Sequence, residues 1–102
     1  MEELNVLKGE CERIIRSLRY NEESAFQEMP RLITKLVAFL QNFLIQAERW
    51  NEEGADFPIE VILQQVRNLD EAYREKDVIM LADTLEFEII VSLTIYMENV
   101  EN

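Results

Sequence analysis

The 102-residue sequence contains no histidine, one cysteine, two glycines and two prolines. Without histidine, the chain lacks the imidazole base of a serine or cysteine hydrolase, a common zinc ligand, and the Glu-x-x-His pair of di-iron bundles. The single cysteine, Cys11, excludes an internal disulfide. Gly9 and Gly54 stand alone, so there is no glycine-rich phosphate loop. With so few turn-forming residues, the composition favours a few long helices over an all-β fold.

Basic residues are also scarce. The chain has ten lysines and arginines but 21 aspartates and glutamates, which gives a formal net charge of -11. A chain without a basic stripe gains no binding energy from neutralising phosphates. This argues against binding to nucleic acid and against binding to an anionic membrane surface. The longest uncharged run, residues 36–47, is too short to span a bilayer. Glu2 and Glu3 stand where a signal peptide is basic, so we expect a cytoplasmic protein. The acidity itself suits a basic partner or simple solubility.

Apolar residues recur at three- and four-residue steps, which predicts amphipathic helices. The segments with this spacing are residues 2–20, 24–50, 58–75 and 77–100. Cys11 falls on the apolar side of the first segment, where a free cysteine behaves as a small buried hydrophobe. Three short connections between four helices predict a single domain, residues 1–102, folded as an all-α, antiparallel up-down-up-down four-helix bundle.

Proline, glycine and aspartate mark the expected breaks between these helices. Pro30 lies inside the second segment and is expected to kink or restart that helix. Gly54 is the expected stop of the second helix, and Asp56 or Phe57 the expected cap of the third. Asp77 is the expected N-cap of the last helix.

The last predicted helix is the most apolar segment, and it is apolar on two sides. Placed at about 100° per residue, its main sector faces the core. That sector contains Val78, Ile79, Leu81, Ala82, Leu85, Ile89, Ile90, Leu93, Tyr96, Met97 and Val100. A narrower stripe of Met80, Phe87 and Val91 lies on the opposite side. Since a helix that is apolar on two sides is buried on two sides, we predict that this stripe binds a second copy or a partner helix.

Three carboxylates, Asp83, Glu86 and Glu88, accompany that stripe. Glu86 falls on the flank of the main sector, where we expect a buried or half-buried carboxylate that pairs with a cation or accepts a hydroxyl hydrogen bond. The cations expected to reach it are Arg13, Arg16, Arg31 and Lys35. We expect the three carboxylates to set binding specificity or helix register.

Asp83 and Glu86 also lie one turn apart, which leaves an enzymatic alternative open. All-α nucleotide pyrophosphohydrolases hold Mg²⁺ with Glu-x-x-Glu and Glu-x-x-Asp pairs on adjacent helices, and oxygen ligands suit that ion. Here the order of the pair is reversed, and the candidate second pair, Glu48 and Glu52, is four residues apart near a helix end. Among 21 acidic residues such spacings arise by chance. We therefore expect no catalytic residue, no metal and no cofactor.

Residues 76–88, KDVIMLADTLEFE, resemble a segment of an uncharacterised family of short helical proteins from Gram-positive bacteria. The usual form of that segment is Lys-Asp-Tyr, followed by Leu-Ala-Asp-x-Leu-Glu-Tyr-Glu-Leu. Val78 and Phe87 stand where the family has tyrosine. The resemblance implies a helical bundle and no activity. In size, charge and class alone, the chain is also similar to flagellar and secretion chaperones, which cover a helix of an export substrate.

Together these features predict a non-enzymatic, cytoplasmic protein-interaction module. We expect an adaptor or a chaperone-like bundle that forms a homodimer or binds a partner protein through its last helix. The alternative is a Mg²⁺-dependent enzyme similar to the pyrophosphohydrolases that uses the carboxylate cluster.

Overall fold

The structure, a computed structural model, describes residues 2–101 and shows four helices in that range. They are α1 (Glu2–Arg19), α2 (Ser24–Glu52), α3 (Ile59–Arg74) and α4 (residues 78–101). Each helix contacts the next in sequence, and α4 closes the ring against α1. The bundle measures 44 × 26 × 19 Å, and the two shorter dimensions fit a cross-section of two helices by two. The predicted all-α, antiparallel four-helix bundle is therefore confirmed.

The helices differ in length, and this sets the shape of one end of the bundle. α2 has 29 residues, which at 1.5 Å per residue is about 44 Å, the full length of the molecule. α1 has 18 residues and reaches only about 27 Å. An aromatic cluster packs against the second half of α2. Its members are Phe39, Phe43, Trp50, Phe57 and Tyr96.

All three connections use the same helix-ending turn. Asn21, Gly54 and Lys76 adopt positive φ angles of 57°, 109° and 53° directly after the first three helices. In each case the next amide donates back to a carbonyl five residues earlier, as in a Schellman motif. These bonds are Glu22 N to Ser17 O, Ala55 N to Trp50 O and Asp77 N to Ala72 O. The predicted stop at Gly54 is confirmed, and its φ of 109° explains why glycine stands there.

Of the remaining break predictions, the cap of the third helix is corrected and the cap of the last helix is confirmed. α2 runs without interruption through Pro30, so this proline does not restart the helix, and a kink at Pro30 stays a prediction. α3 begins after Pro58, with no side-chain capping bond from Asp56 or Phe57. Asp77 does cap α4, because its carboxylate accepts a hydrogen bond of 3.0 Å from the Met80 amide.

The core is built from apolar side chains of all four helices, and Cys11 is fully buried among them as predicted. The largest fully buried side chains are Ile14 and Leu18 of α1, Met29, Leu36 and Leu40 of α2, Leu69 of α3, and Leu81, Leu85, Ile89 and Leu93 of α4. α4 therefore contributes more of these side chains than any other helix. It nevertheless occupies one corner of the ring, which leaves its opposite side facing outward.

α4 contains a π-helical turn, which the sequence pattern had not led us to expect. The segments Val78–Thr84 and Ile90–Glu101 are α-helical, and Leu85–Ile89 between them is π-helical. The Ile90 amide accordingly donates to the Leu85 carbonyl, five residues back. The π turn inserts one extra residue into a helix that otherwise continues in the same direction.

The spacing of the buried residues in α4 explains this turn. Leu81, Leu85, Ile89, Leu93 and Met97 are all buried, and they recur at every fourth position. Each four-residue step exceeds a 3.6-residue turn by about 40°, so four steps would carry the stripe about 160° around a straight α-helix. One extra residue takes back about 100° of that drift. The π turn thus keeps all five side chains on the core.

Candidate interaction surface on the last helix

The outward side of α4 carries exposed apolar residues along most of its length. Phe87 and Val91, both predicted interface residues, are 64% and 47% exposed. Ile79 and Ile95 continue the same line and are 72% and 38% exposed. We call these four residues the outer stripe. Their spacing places them at every fourth position, with Asp83 filling the one position between Ile79 and Phe87.

Two assignments on this helix are corrected by the structure. Met80, the third residue of the predicted stripe, is partly buried and packs against the core. Ile79, which the helical projection placed in the core sector, is instead the most exposed member of the outer stripe. The projection assumed a uniform 100° per residue, and the π turn breaks that assumption between the two halves of the helix.

The π turn aligns the outer stripe for the same reason that it aligns the core. On a straight α-helix, residues at every fourth position would wind sideways by about 40° per step. With the extra residue at Leu85–Ile89, Ile79 in the first half and Val91 in the second half face the same way. The result is one straight line about 24 Å long, from Ile79 to Ile95, which is apolar except at Asp83.

Asp83 and Glu86 lie on the α1 side of this line. Both accept hydrogen bonds from one guanidinium nitrogen of Arg19, at 3.1 Å and 3.3 Å. Their side chains are half-exposed, so Glu86 is the half-buried, cation-paired carboxylate of the prediction and not a fully buried one. The partner predictions were wrong, because the cation is Arg19.

Two of the cations that we expected near Glu86 pair with other carboxylates. Arg13 binds Glu28 and Lys35 binds Glu10, and both of these ion pairs join α1 to α2. The hydrogen bond to Arg13 holds the pKa of Glu28 below its usual value. Arg19 is closer to α4 because it lies at the end of α1, next to the first turns of the last helix.

Glu88 lies on the α3 side of the outer stripe. Its carboxylate accepts a hydrogen bond of 3.0 Å from the side-chain amide of Asn68, which is neutral. The stripe is therefore flanked by carboxylates on both sides, with Asp83 and Glu86 sharing one cation and Glu88 bonded to an uncharged donor. In sequence, α4 has five acidic residues (Asp83, Glu86, Glu88, Glu98 and Glu101) and no lysine or arginine.

A buried polar pair, Gln65 and Ser92, fixes the register of α3 against α4. The Ser92 hydroxyl donates to the Gln65 side-chain oxygen at 2.6 Å, and both residues are buried. Sequence analysis missed Gln65. The signal that could have found the pair is Ser92, a polar residue at the edge of the apolar sector of the last helix.

A separate groove lies at the start of α1. It has a volume of about 860 Å³ and is open to solvent. Leu4, Val6 and Leu7 of α1 line one wall, Ala38 and Phe39 of α2 the other. The groove supplies a second apolar surface, distinct from the outer stripe, against which the stripe can be compared experimentally.

The second pair proposed for a Mg²⁺ site is remote from the first. Glu48 and Glu52 lie in the last turns of α2, whereas Asp83 and Glu86 lie beside the end of α1 at the other end of the bundle. Within residues 2–101, no group of three acidic or thiol side chains is arranged to hold a metal ion. In the same range, no helix combines the length and apolarity that a membrane crossing requires.

No protein-family model, no curated protein and no solved structure matches the chain. The chemistry and geometry of its own surfaces are therefore the basis for the functional argument.

Proposed function

We propose that the protein is a non-enzymatic interaction module, an adaptor or chaperone-like bundle, that binds another protein or a second copy through the outer stripe of α4. The observation that carries the proposal is the exposure of Ile79, Phe87, Val91 and Ile95 on one straight line. An exposed group of apolar residues with polar flanks is typical of protein-binding surfaces. The regular helical spacing of these residues suits a partner helix.

The bundle itself does not need this surface. Its core is closed by the opposite side of α4, where Leu81, Leu85, Ile89 and Leu93 are fully buried. An exposed phenylalanine opposite such a core adds nothing to folding and lowers solubility. A binding role accounts for both the apolar character of the stripe and its alignment by the π turn.

We place this activity in the cytoplasm as part of the same proposal. Cys11 is free and fully buried, which fits a reducing compartment in which a thiol is used as an apolar core residue.

The test is a comparison of Phe87→Asp with Val6→Asp. Both substitutions introduce one carboxylate at a well-exposed apolar residue of a helix, but Val6 lies at the groove and Phe87 on the outer stripe. We expect Phe87→Asp alone to change the oligomeric mass in light scattering or to lose proteins captured from the native host. Unchanged mass and unchanged capture in Phe87→Asp would refute the proposal.

A further inference from the structure

We infer that the outer stripe of α4 binds a basic amphipathic helix of another protein, rather than a second copy of this chain. The inference rests on the proposed function and specifies its partner. It is drawn from the charges around the stripe and not from its apolar residues, which would suit either occupant.

The charges beside the stripe are all of one sign on α4 itself. Asp83 and Glu86 together face a single cation, Arg19, so one of these two negative charges is not neutralised. Glu88 is bonded to the neutral Asn68 amide, so its charge is not neutralised by that bond. An occupant of the stripe therefore meets uncompensated carboxylates on both the α1 side and the α3 side.

A second copy does not complement this arrangement. If two copies packed stripe against stripe, the carboxylates of both α4 helices would lie along one contact, and neither helix has a lysine or arginine to offset them. Like charges brought together at an interface oppose association. The net charge of -11 on each chain adds to that repulsion at longer range.

A helix with apolar residues on one side and lysine or arginine beside them complements the surface in both respects. Its apolar residues would pack along Phe87, Val91 and Ile95, and its cations would reach Glu88 on one side and Asp83 on the other. The stripe is about 24 Å long, which corresponds to about 16 residues of a partner helix. This is the helix-on-helix mode of recognition, with anchor residues every three or four positions.

The experiment uses two fluorescein-labelled helical peptides of about 18 residues with identical leucine positions. The flanking residues are lysine in one peptide and glutamate in the other. Binding to the full-length protein is measured by fluorescence anisotropy at 150 mM salt. We expect the lysine peptide to bind at least about tenfold more tightly than the glutamate peptide, and Phe87→Asp to abolish that binding.

A matched pair of triple variants separates the effect of the charges beside the stripe on peptide binding from the effect of the overall net charge. The first, Asp83→Asn with Glu86→Gln and Glu88→Gln, removes the carboxylates beside the stripe. The second removes three exposed carboxylates from the α2–α3 connection, namely Glu52→Gln, Glu53→Gln and Asp56→Asn. We expect the first variant to weaken binding of the lysine peptide about tenfold and the second to leave it nearly unchanged.

The outcomes distinguish this inference from the proposed function. Equal binding of the two peptides, no binding of the lysine peptide, or equal weakening by both triple variants overturns the basic partner. If wild type is instead a dimer that Phe87→Asp dissociates, the occupant is a second copy, and the interaction role of the stripe stands. If Val6→Asp abolishes peptide binding and Phe87→Asp does not, the groove is the binding site and both proposals fail.

Discussion

At the scale of single residues, the buried polar pair of α3 and α4 is the most specific contact in the core. Gln65 and Ser92 are buried with a hydrogen bond of 2.6 Å between their side chains. In the described part of the chain, no buried side-chain nitrogen or oxygen lacks a hydrogen-bond partner. A buried amide that loses its partner is far more costly than an apolar residue of the same shape.

We predict that Ser92→Ala lowers the free energy of unfolding by about 1–3 kcal/mol, because it leaves the Gln65 oxygen unpaired. Urea unfolding followed by circular dichroism measures the change. Thr94→Ala is the matched control, since the Thr94 hydroxyl bonds only to the Ile90 carbonyl of its own helix. Adding Gln65→Leu to Ser92→Ala should recover part of the loss. A Ser92→Ala variant no less stable than Thr94→Ala would contradict this account.

Folding strongly affects the protonation of Cys11, which is buried in the core. Burial, assisted by the neighbouring Glu10 and Glu12 carboxylates, raises the pKa of the Cys11 thiol from 9.0 to about 12. The thiolate is the reactive form, so the folded protein should hold this cysteine inert at neutral pH.

Stability should fall with rising pH above about 9 because of this residue. Between pH 9 and pH 12 the thiol is ionised in the unfolded chain and protonated in the folded one, so the unfolded state binds fewer protons and is increasingly favoured. The measurement is the free energy of unfolding of wild type and Cys11→Ala at pH 7.5 and pH 10.5. We expect wild type to lose more stability over this interval. An equal loss in the two proteins would show that Cys11 is not protonated in the fold.

At the scale of elements, the π turn of α4 is the feature that organises both sides of the helix. It keeps the buried residues on the core and the outer stripe in line. A π turn is in effect one residue inserted into an α-helix, so removing a residue there restores regular α-helix without rotating the rest.

We predict that deletion of Phe87 preserves the fold, with stability within about 1 kcal/mol of wild type. Deletion of Ile95, another exposed stripe residue but in an α-helical segment, should instead rotate Tyr96 and Met97 by about 100° away from the core. That rotation should cost about 2–5 kcal/mol. Thermal and urea unfolding compare the two deletions. If both are equally destabilising, the π turn does not absorb the extra residue.

At the scale of the whole molecule, the excess negative charge outweighs the ion pairs. The ion pairs of the described residues are all at least partly exposed, and exposed pairs contribute little to the stability of a fold. The net charge of -11 on a 102-residue chain, by contrast, repels itself across the entire surface. Salt screens both the ion pairs and the self-repulsion, and the larger of the two effects decides whether added salt raises or lowers the stability of the fold.

We therefore predict that the melting temperature rises by about 2–5 °C between 10 mM and 300 mM sodium chloride, because screening relieves the self-repulsion. Differential scanning calorimetry measures the shift. A variant with Glu23→Lys and Glu53→Lys, whose net charge is -7 because each change adds two, should show a smaller rise. A melting temperature that falls with added salt would mean that the ion pairs dominate.

The two proposals belong to this same scale, since they concern the surface as a whole. The outer stripe supplies the apolar contact and the unbalanced carboxylates supply the preference for a basic partner. The apolar residues alone suit a second copy or another protein. The carboxylates are the reason that we infer a basic partner, because association must satisfy the apolar and the charged residues at once.

The amino-acid pattern by itself determined the fold class, the four helices and most of the core. Leu36 and Leu40 lie four residues apart in the second helix, and Ile14 lies at similar steps from its apolar neighbours in the first, a spacing that only a helix places on one side. Asp77 and Gly54 mark helix ends by local chemistry. These predictions succeed because helix periodicity, capping and glycine conformation depend on residues within a turn or two of each other. The exposure of Phe87 and Val91 followed from the same periodicity.

Only the tertiary structure decided the rest. A regular projection placed Ile79 in the core and Met80 on the outer stripe, and the π turn reversed both, because a π turn forms where packing against other helices must keep a four-residue repeat in line. Likewise, Arg19 pairs with Asp83 and Glu86, and Gln65 pairs with Ser92. Those partners come from helices distant in sequence, and the local pattern does not contain the register in which helices meet.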